Sequence, residues 1–215
     1  MRQIDMQTWS RREHFNKFKN FDHPHFGMCA DVDLTSFYQF VKRNGISINV
    51  AIIYILSRVS NEIPEFRYRI RGENVVEHEI VHPSATILTG EDLFTFCPFE
   101  YVEEFSKFSA SALEMIAYRK KHLTLKDEPG RDNSLFMSVI PWVSFTSFTH
   151  PMQLDPPDSV PRFAWGKFFE DGNVMNMPLD VQVHHALMDG IHLGKFYGEV
   201  QKYFNDPESV LGEVK

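Results

Sequence analysis

The run from Val174 to Val183 constrains this chain more than any other stretch, because it is β-rich, alternates, and climbs into two adjacent histidines, His184 and His185. It is entered through Glu170-Asp171-Gly172-Asn173, and Phe163 to Phe169 lies on the far side of that turn. Asp-Gly suits the positive φ of a type I′ turn, so the two arms are predicted to form a hairpin. The second arm ends on imidazoles, and Asp189-Gly190 then opens a helical pattern carried by Leu193, Phe196, Tyr197, Val200 and Phe204. A strand exit is rigid on the sheet side and open on the other, which is where reactive side chains are often presented. A histidine there can equally be a hydrogen-bonded strand end, and both readings stand at this point.

The remaining periodicity predicts helices over Asp31–Asn44, Ile48–Asn61 and Tyr101–His122, the middle one apolar nearly all round and therefore buried. Short β-like runs fall at Phe66–Ile70, Val75–Ile80 and Ala85–Leu88, read as a small meander with Arg71-Gly72 as its first turn. Leu135–Val139 and Val143–Phe148 read as strand interrupted by Pro141, and His150–Pro161 as a surface loop. Residues 1 to 30 lack a period but are dense in aromatics, as expected of a strap packed across something. The sum is an α+β two-layer sandwich, a mixed and mostly antiparallel sheet covered by helices. At 215 residues and 43% hydrophobic, the chain is expected to form a single domain over residues 1 to 215.

A formal charge of −7 leaves no basic stripe to displace counterions from phosphates, so no nucleic-acid partner is expected. The most apolar stretch, Val50 to Leu56, is too short to cross a bilayer, and the N-terminus has no apolar leader segment. Cys29 and Cys97 are too few for a disulfide framework. A cytoplasmic protein without a membrane partner is the expectation. His184, His185, Asp189 and His192 are close in sequence, but adjacent strand residues point to opposite faces and the spacing is not that of a zinc helix, so no metal is expected.

The string His184-His185-Ala186-Leu187-Met188-Asp189-Gly190, preceded by Val181-Gln182-Val183, occurs together with Trp9-Ser10-Arg11-Arg12-Glu13-His14-Phe15 and Pro141-Trp142-Val143-Ser144-Phe145-Thr146-Ser147-Phe148. In order and spacing these boxes closely resemble the trimeric chloramphenicol acetyltransferases, from about Trp9 to Tyr203. The histidine box alone is also similar to dihydrolipoyl acyltransferase catalytic domains. The resemblance implies a coenzyme A-dependent acyltransferase fold, acetyl-CoA as co-substrate, a small hydroxylated acceptor, and a homotrimer with active sites at subunit interfaces. It implies His185 as general base, Ser138 as the hydroxyl that stabilises the oxyanion, and Asp189 paired with Arg11 to hold the loop that aims His185. Trp142, Lys167 and Phe168 fall at coenzyme-binding positions, and Phe18, Phe26 and Phe94 at acceptor-binding ones.

Departures from the pattern bear on the acceptor. Ala164 stands where the family has a threonine, and Lys17, Asp22, His23 and Pro24 replace apolar or small residues. Thr89–Phe99, whose family equivalent contributes to the acceptor site, is shorter than that equivalent, whereas on the coenzyme side Ser47 and Asn49 stand where a basic and an aromatic residue are common and Trp142 and Lys167 are retained. The alternatives to chloramphenicol O-acetylation are therefore a weak or inactive ligand-binding homologue, or an acyltransferase acting on another alcohol or thiol.

Overall fold

The computed structural model describes residues 1–90, 92–126, 130–153 and 158–212. In chain order the strands and helices are β1 (Arg2–Gln3), α1 (Arg12–Phe18), β2 (His25–Asp33), α2 (Thr35–Arg43), α3 (Ile48–Glu62), β3 (Tyr68–Arg71), β4 (Asn74–Glu77), β5 (His82–Leu88), β6 (Phe94–Pro98), α4 (Phe105–Arg119), β7 (Ser134–Ile140), β8 (Arg162–Gly166), β9 (Phe169–Asp171), β10 (Val174–His184), α5 (Gly190–Asn205) and α6 (Pro207–Leu211). The fold is α+β. A 7-stranded sheet runs β2-β10-β8-β7-β5-β6 with β9 against β10, and a 3-stranded sheet runs β1-β4-β3. Among the described residues, only β5–β7 and β7–β8 are parallel in the large sheet.

Helix α3 is buried on every side from Val50 to Ser57, as the apolar run Val50–Leu56 requires, and packs between α2, α4 and α5 against the sheet. Leu179, Val181 and Val183 of β10, Phe163 and Trp165 of β8, and Leu135 and Met137 of β7 are all essentially inaccessible and join these helices in one core. Alternation sends the intervening residues to the opposite, outer face: Asp180, Gln182 and His184 on β10, Arg162 and Ala164 on β8, Phe136 and Ser138 on β7.

The hairpin between β9 and β10 forms, but the turn is not type I′. Asp171 pairs with Val174, so Gly172 and Asn173 are the central residues, and only Gly172 has a positive φ (60°), as in type II′. The Arg71–Asn74 pairing places Gly72, φ 57°, in the same role between β3 and β4.

Several expectations are corrected. The unperiodic N-terminal strap contains a helix, α1, and a nine-residue strand, β2. The helix expected from Asp31 begins at Thr35, after β2 ends. Strand β2 carries glycine and three aspartate or cysteine positions of poor β-propensity, and its conformation is imposed by pairing with β10 along its whole length, His25 opposite His184 through Asp33 opposite Asn176. The expected meander is split: β3 and β4 belong to the small sheet, whereas the Ala85 run is a strand of the large one, where β6, unforeseen, pairs with it.

Val143–Phe148 is not a strand. Its polar backbone atoms go elsewhere: Val143 O accepts from the Lys167 amide at 2.9 Å, Phe145 O from the Cys29 thiol at 3.8 Å, and the Phe148 amide bonds Asp180. The segment is an irregular strap over the outer face. It passes so close to β8 that a Cβ on Gly166 would sit 2.8 Å from Val143 O and 2.7 Å from Pro178 Cγ. The end of the expected surface loop is also buried, at Ser159 and Val160, because the Ser159 hydroxyl accepts the Ile70 amide at 3.0 Å and ties the small sheet to the large one. Residues 154 to 157 of that loop lie outside the described residues. Cys29 and Cys97 are free thiols. Among the described residues, no helix is long and apolar enough to cross a membrane.

Candidate active site

Strand β10 ends on His184, and the chain then turns through Ala186–Met188 into α5. Asp189 caps that helix. Its side chain accepts the His192 amide while His192 Nδ1 accepts the Asp189 amide at 2.9 Å, so His192 supplies the return half of a capping box. This capping role was not legible in the His/Asp spacing, where His192 drew attention as a metal neighbour.

The two histidines diverge. His184 faces the outer side against His25, ring centroids 4.9 Å apart. Its Nδ1 accepts the Ala186 amide at 3.2 Å, and burial pushes its pKa down to about 3. His185 turns the other way and remains partly exposed. Its ring stacks on Phe18 of α1 at 4.0 Å and 15°, and lies 4.8 Å from Phe26 of β2. Phe26 pairs with Val183, whose side chain is in the core, so His185 sits at the helix side of the sheet.

The bonding of His185 determines its tautomer. Nδ1 lies 3.0 Å from the Met188 carbonyl oxygen and 3.2 Å from Asp189 Oδ1, and both are pure acceptors. The proton must therefore reside on Nδ1, and Nε2 of the neutral ring carries a lone pair. The rest of the residue is held as firmly: its amide donates to Pro24 O at 2.8 Å, and its carbonyl accepts from Arg11 Nη2 at 3.2 Å.

Arg11 donates through Nη1 and Nη2 to the two Asp189 oxygens, the second bond 3.1 Å, and is itself largely buried. This forked pair holds the Asp189 carboxyl below its ordinary range. Arg11, Phe18, Phe26, His185 and Asp189 thus converge. Trp142, 62% exposed, and exposed Lys167 lie near each other where the strap meets the end of β8, and Phe168 packs edge-on to Tyr38 at 6.4 Å. Ser138 does not meet His185 within the chain. It occupies the outer face of β7, opposite Ala164, which is opposite Asp180. Phe94 is on the outer face of edge strand β6, 5.9 Å from Phe96. Lys17, Asp22 and His23 are exposed, with the Lys17 ammonium 5.7 Å over Phe21. Among the described residues no His, Cys, Asp and Glu group converges as a metal site would require.

Asp180 was not singled out by sequence, although an acid inside an otherwise apolar strand is an available signal. It is 2% exposed, its Oδ2 is buried without a hydrogen-bond partner among the described residues, and burial pushes its pKa up to about 6. Between pH 4 and 6 the folded chain therefore holds a proton that the unfolded chain has lost, and stability falls as pH rises through that window. Asp180→Asn is expected to stabilise the protein at pH 7 by on the order of 1–3 kcal/mol, with the gain vanishing near pH 4. Thermal melts of both proteins at the two pH values check it, and an equal shift at both would contradict it.

A family model for chloramphenicol acetyltransferase matches residues 1–201. The chain belongs to the chloramphenicol acetyltransferase family. Curated relatives include the Klebsiella sp. enzyme, 32% identical over 94% of this chain and 93% of its own length, and that of Clostridium perfringens, 31% identical over 98% and 97%. A solved chloramphenicol acetyltransferase superposes with a TM-score of 0.84 at 28% identity, covering 95% of this chain and 100% of that one. The dihydrolipoamide acetyltransferase of Azotobacter vinelandii, at 18% identity and a TM-score of 0.69 over 93% and 88%, shares the fold. Membership of this family makes the chain an acyltransferase, and the match spans the elements that carry His185, Asp189, Arg11 and Ser138.

Proposed function

We propose that the chain transfers the acetyl group of acetyl-CoA to a hydroxyl of chloramphenicol or a related small acceptor. The observation that carries this reading is the His185 tautomer: Nδ1 is tied to acceptors only, so Nε2 is the ring's one basic site, aimed by a stacked and tethered ring. His185 Nε2 takes the acceptor's hydroxyl proton as that oxygen attacks the thioester carbonyl. The Ser138 hydroxyl donates to the developing oxyanion. When the carbon–sulfur bond breaks, Nε2–H returns the proton to the departing thiolate. Asp189, beside Nδ1, favours the transient imidazolium, while Arg11 keeps Asp189 and the His185 carbonyl in place. An exposed indole, Trp142, and an exposed lysine, Lys167, whose amide bonds the carbonyl of the residue after Trp142, suit the adenine and phosphates of the coenzyme.

Ser138 and His185 lie on opposite faces of one sheet, which supports a site shared between protomers, the histidine of one facing the serine of its neighbour, and the family likeness makes that assembly a homotrimer. A cytoplasmic location, where acetyl-CoA is made, belongs to the same proposal. Purified protein with acetyl-CoA and chloramphenicol is expected to release free thiol. Absence of release with chloramphenicol and with a broad panel of hydroxylated acceptors would defeat the reading. Arg11→Lys, which cannot fork across Asp189 and also reach the His185 carbonyl, is expected to lower kcat/KM at least about tenfold. Unchanged kinetics would show that the tether is dispensable.

A further inference from the structure

The outer face of the sheet carries a partly enclosed cavity of about 50 Å³ whose wall includes Ser84, Phe96, Phe136 and the cationic side chains of Arg119, Lys126 and Arg131. Phe136 precedes Ser138 by two residues on the same face of β7, so the cavity begins roughly 7 Å along the strand from the Ser138 hydroxyl. Three features give it a chemical preference. Arg119 Nε is buried without a hydrogen-bond partner among the described residues. The nearby carboxylate, Glu100, bonds Arg131 at 2.6 Å and lies 3.2 Å from His82 Nδ1, but it is itself two-thirds exposed and, among the described residues, forms no ion pair with Arg119 or Lys126. His82, also in the wall, accepts the Tyr101 amide on Nδ1, and burial keeps it neutral, which leaves Nε2–H as another donor.

The space holds a few water molecules' worth of volume, the size of a carboxylate or sulfate group, and partial enclosure strengthens charge–charge attraction there. Phe96 and Phe136 flank it with flat apolar surface. We infer that this cavity is an anion-recognising subsite of the acceptor pocket, so that the preferred acceptor is a hydroxylated aromatic compound bearing an acidic group. This rests on the acetyl-transfer reading and, since chloramphenicol bears no acidic group, ranks an acidic relative above it as acceptor.

The test compares 4-(hydroxymethyl)benzoate, whose ring separates hydroxyl and carboxylate, with its neutral methyl ester as acetyl acceptors. The acid is expected to be preferred by about tenfold or more in kcat/KM. Arg119→Gln combined with Lys126→Gln should erase that preference, whereas Arg119→Lys, which keeps the charge, should retain it. Inorganic sulfate should compete with the acid acceptor. Competition with acetyl-CoA instead would assign the cavity to the coenzyme's phosphates and overturn the proposal, as would equal use of acid and ester. Calorimetry of the acid with the His185→Ala protein separates the two readings. Binding there that the glutamine variants abolish, without turnover in the parent, would uphold the subsite and defeat acetyl transfer. Turnover of the ester with no bound acid would do the reverse.

Discussion

His185→Ala is expected to lower kcat for acetyl transfer by about three to four orders of magnitude, the upper part of the range for a general base. The protein should still fold. Arg11 and Asp189 remain paired to each other without the ring, the Pro24 contact uses only the backbone, and the truncated side chain was about a third exposed, so no buried charge is orphaned. His185→Gln separates basicity from shape, because an amide can still donate to the Met188 carbonyl but cannot accept a proton at neutral pH. Both variants should lose activity alike. A thiol-release rate within tenfold of the parent for either one would remove His185 from the chemistry.

Ser138→Ala is expected to cost about 10²–10³ in kcat, the usual consequence of deleting one oxyanion donor. The more revealing measurement is a mixture. Ser138 lies on the outer face of β7 and His185 at the helix side of the end of β10, so each reaction centre would need one residue from each of two protomers. Refolding Ser138→Ala and His185→Ala chains together should then create sites with both residues intact. Random assortment gives roughly a quarter of the parent's activity, far above either variant alone. A mixture no more active than its parts would place the whole reaction within one chain.

Legibility in the sequence followed the range of the determining interactions. The β9–β10 hairpin, α3 and the entry to α5 depend on neighbours a few residues away, and turn chemistry, apolar periodicity and an Asp-Gly start express them directly. Strand β2 escaped because its conformation is set by a partner strand about 150 residues later. The Val143–Phe148 strap was misread because its β-branched and aromatic residues are those of a strand, while its hydrogen bonds go to side chains and to a single distant amide. Around His185, the aromatic density near Phe18 and Phe26 was visible, but the carbonyls of Pro24 and Met188 that fix its backbone and ring leave no residue-type signature. The cavity cations are dispersed in sequence and meet Ser84 only through the order β7-β5-β6.

The contacts of His185 have one further consequence. Its carbonyl is held by Arg11, its ring by Phe18 and its amide by Pro24, all within one continuous stretch that contains α1 and the turn into β2. Asn20, Asp22 and His23 in that turn are exposed, so their identities can change at little cost to the clamp. Their number cannot. Removing one residue between Phe18 and Pro24 would pull either the ring platform or the amide acceptor out of reach. At the exposed positions of this turn, then, evolution or a mutagenesis library can rewrite letters but has almost no freedom of length.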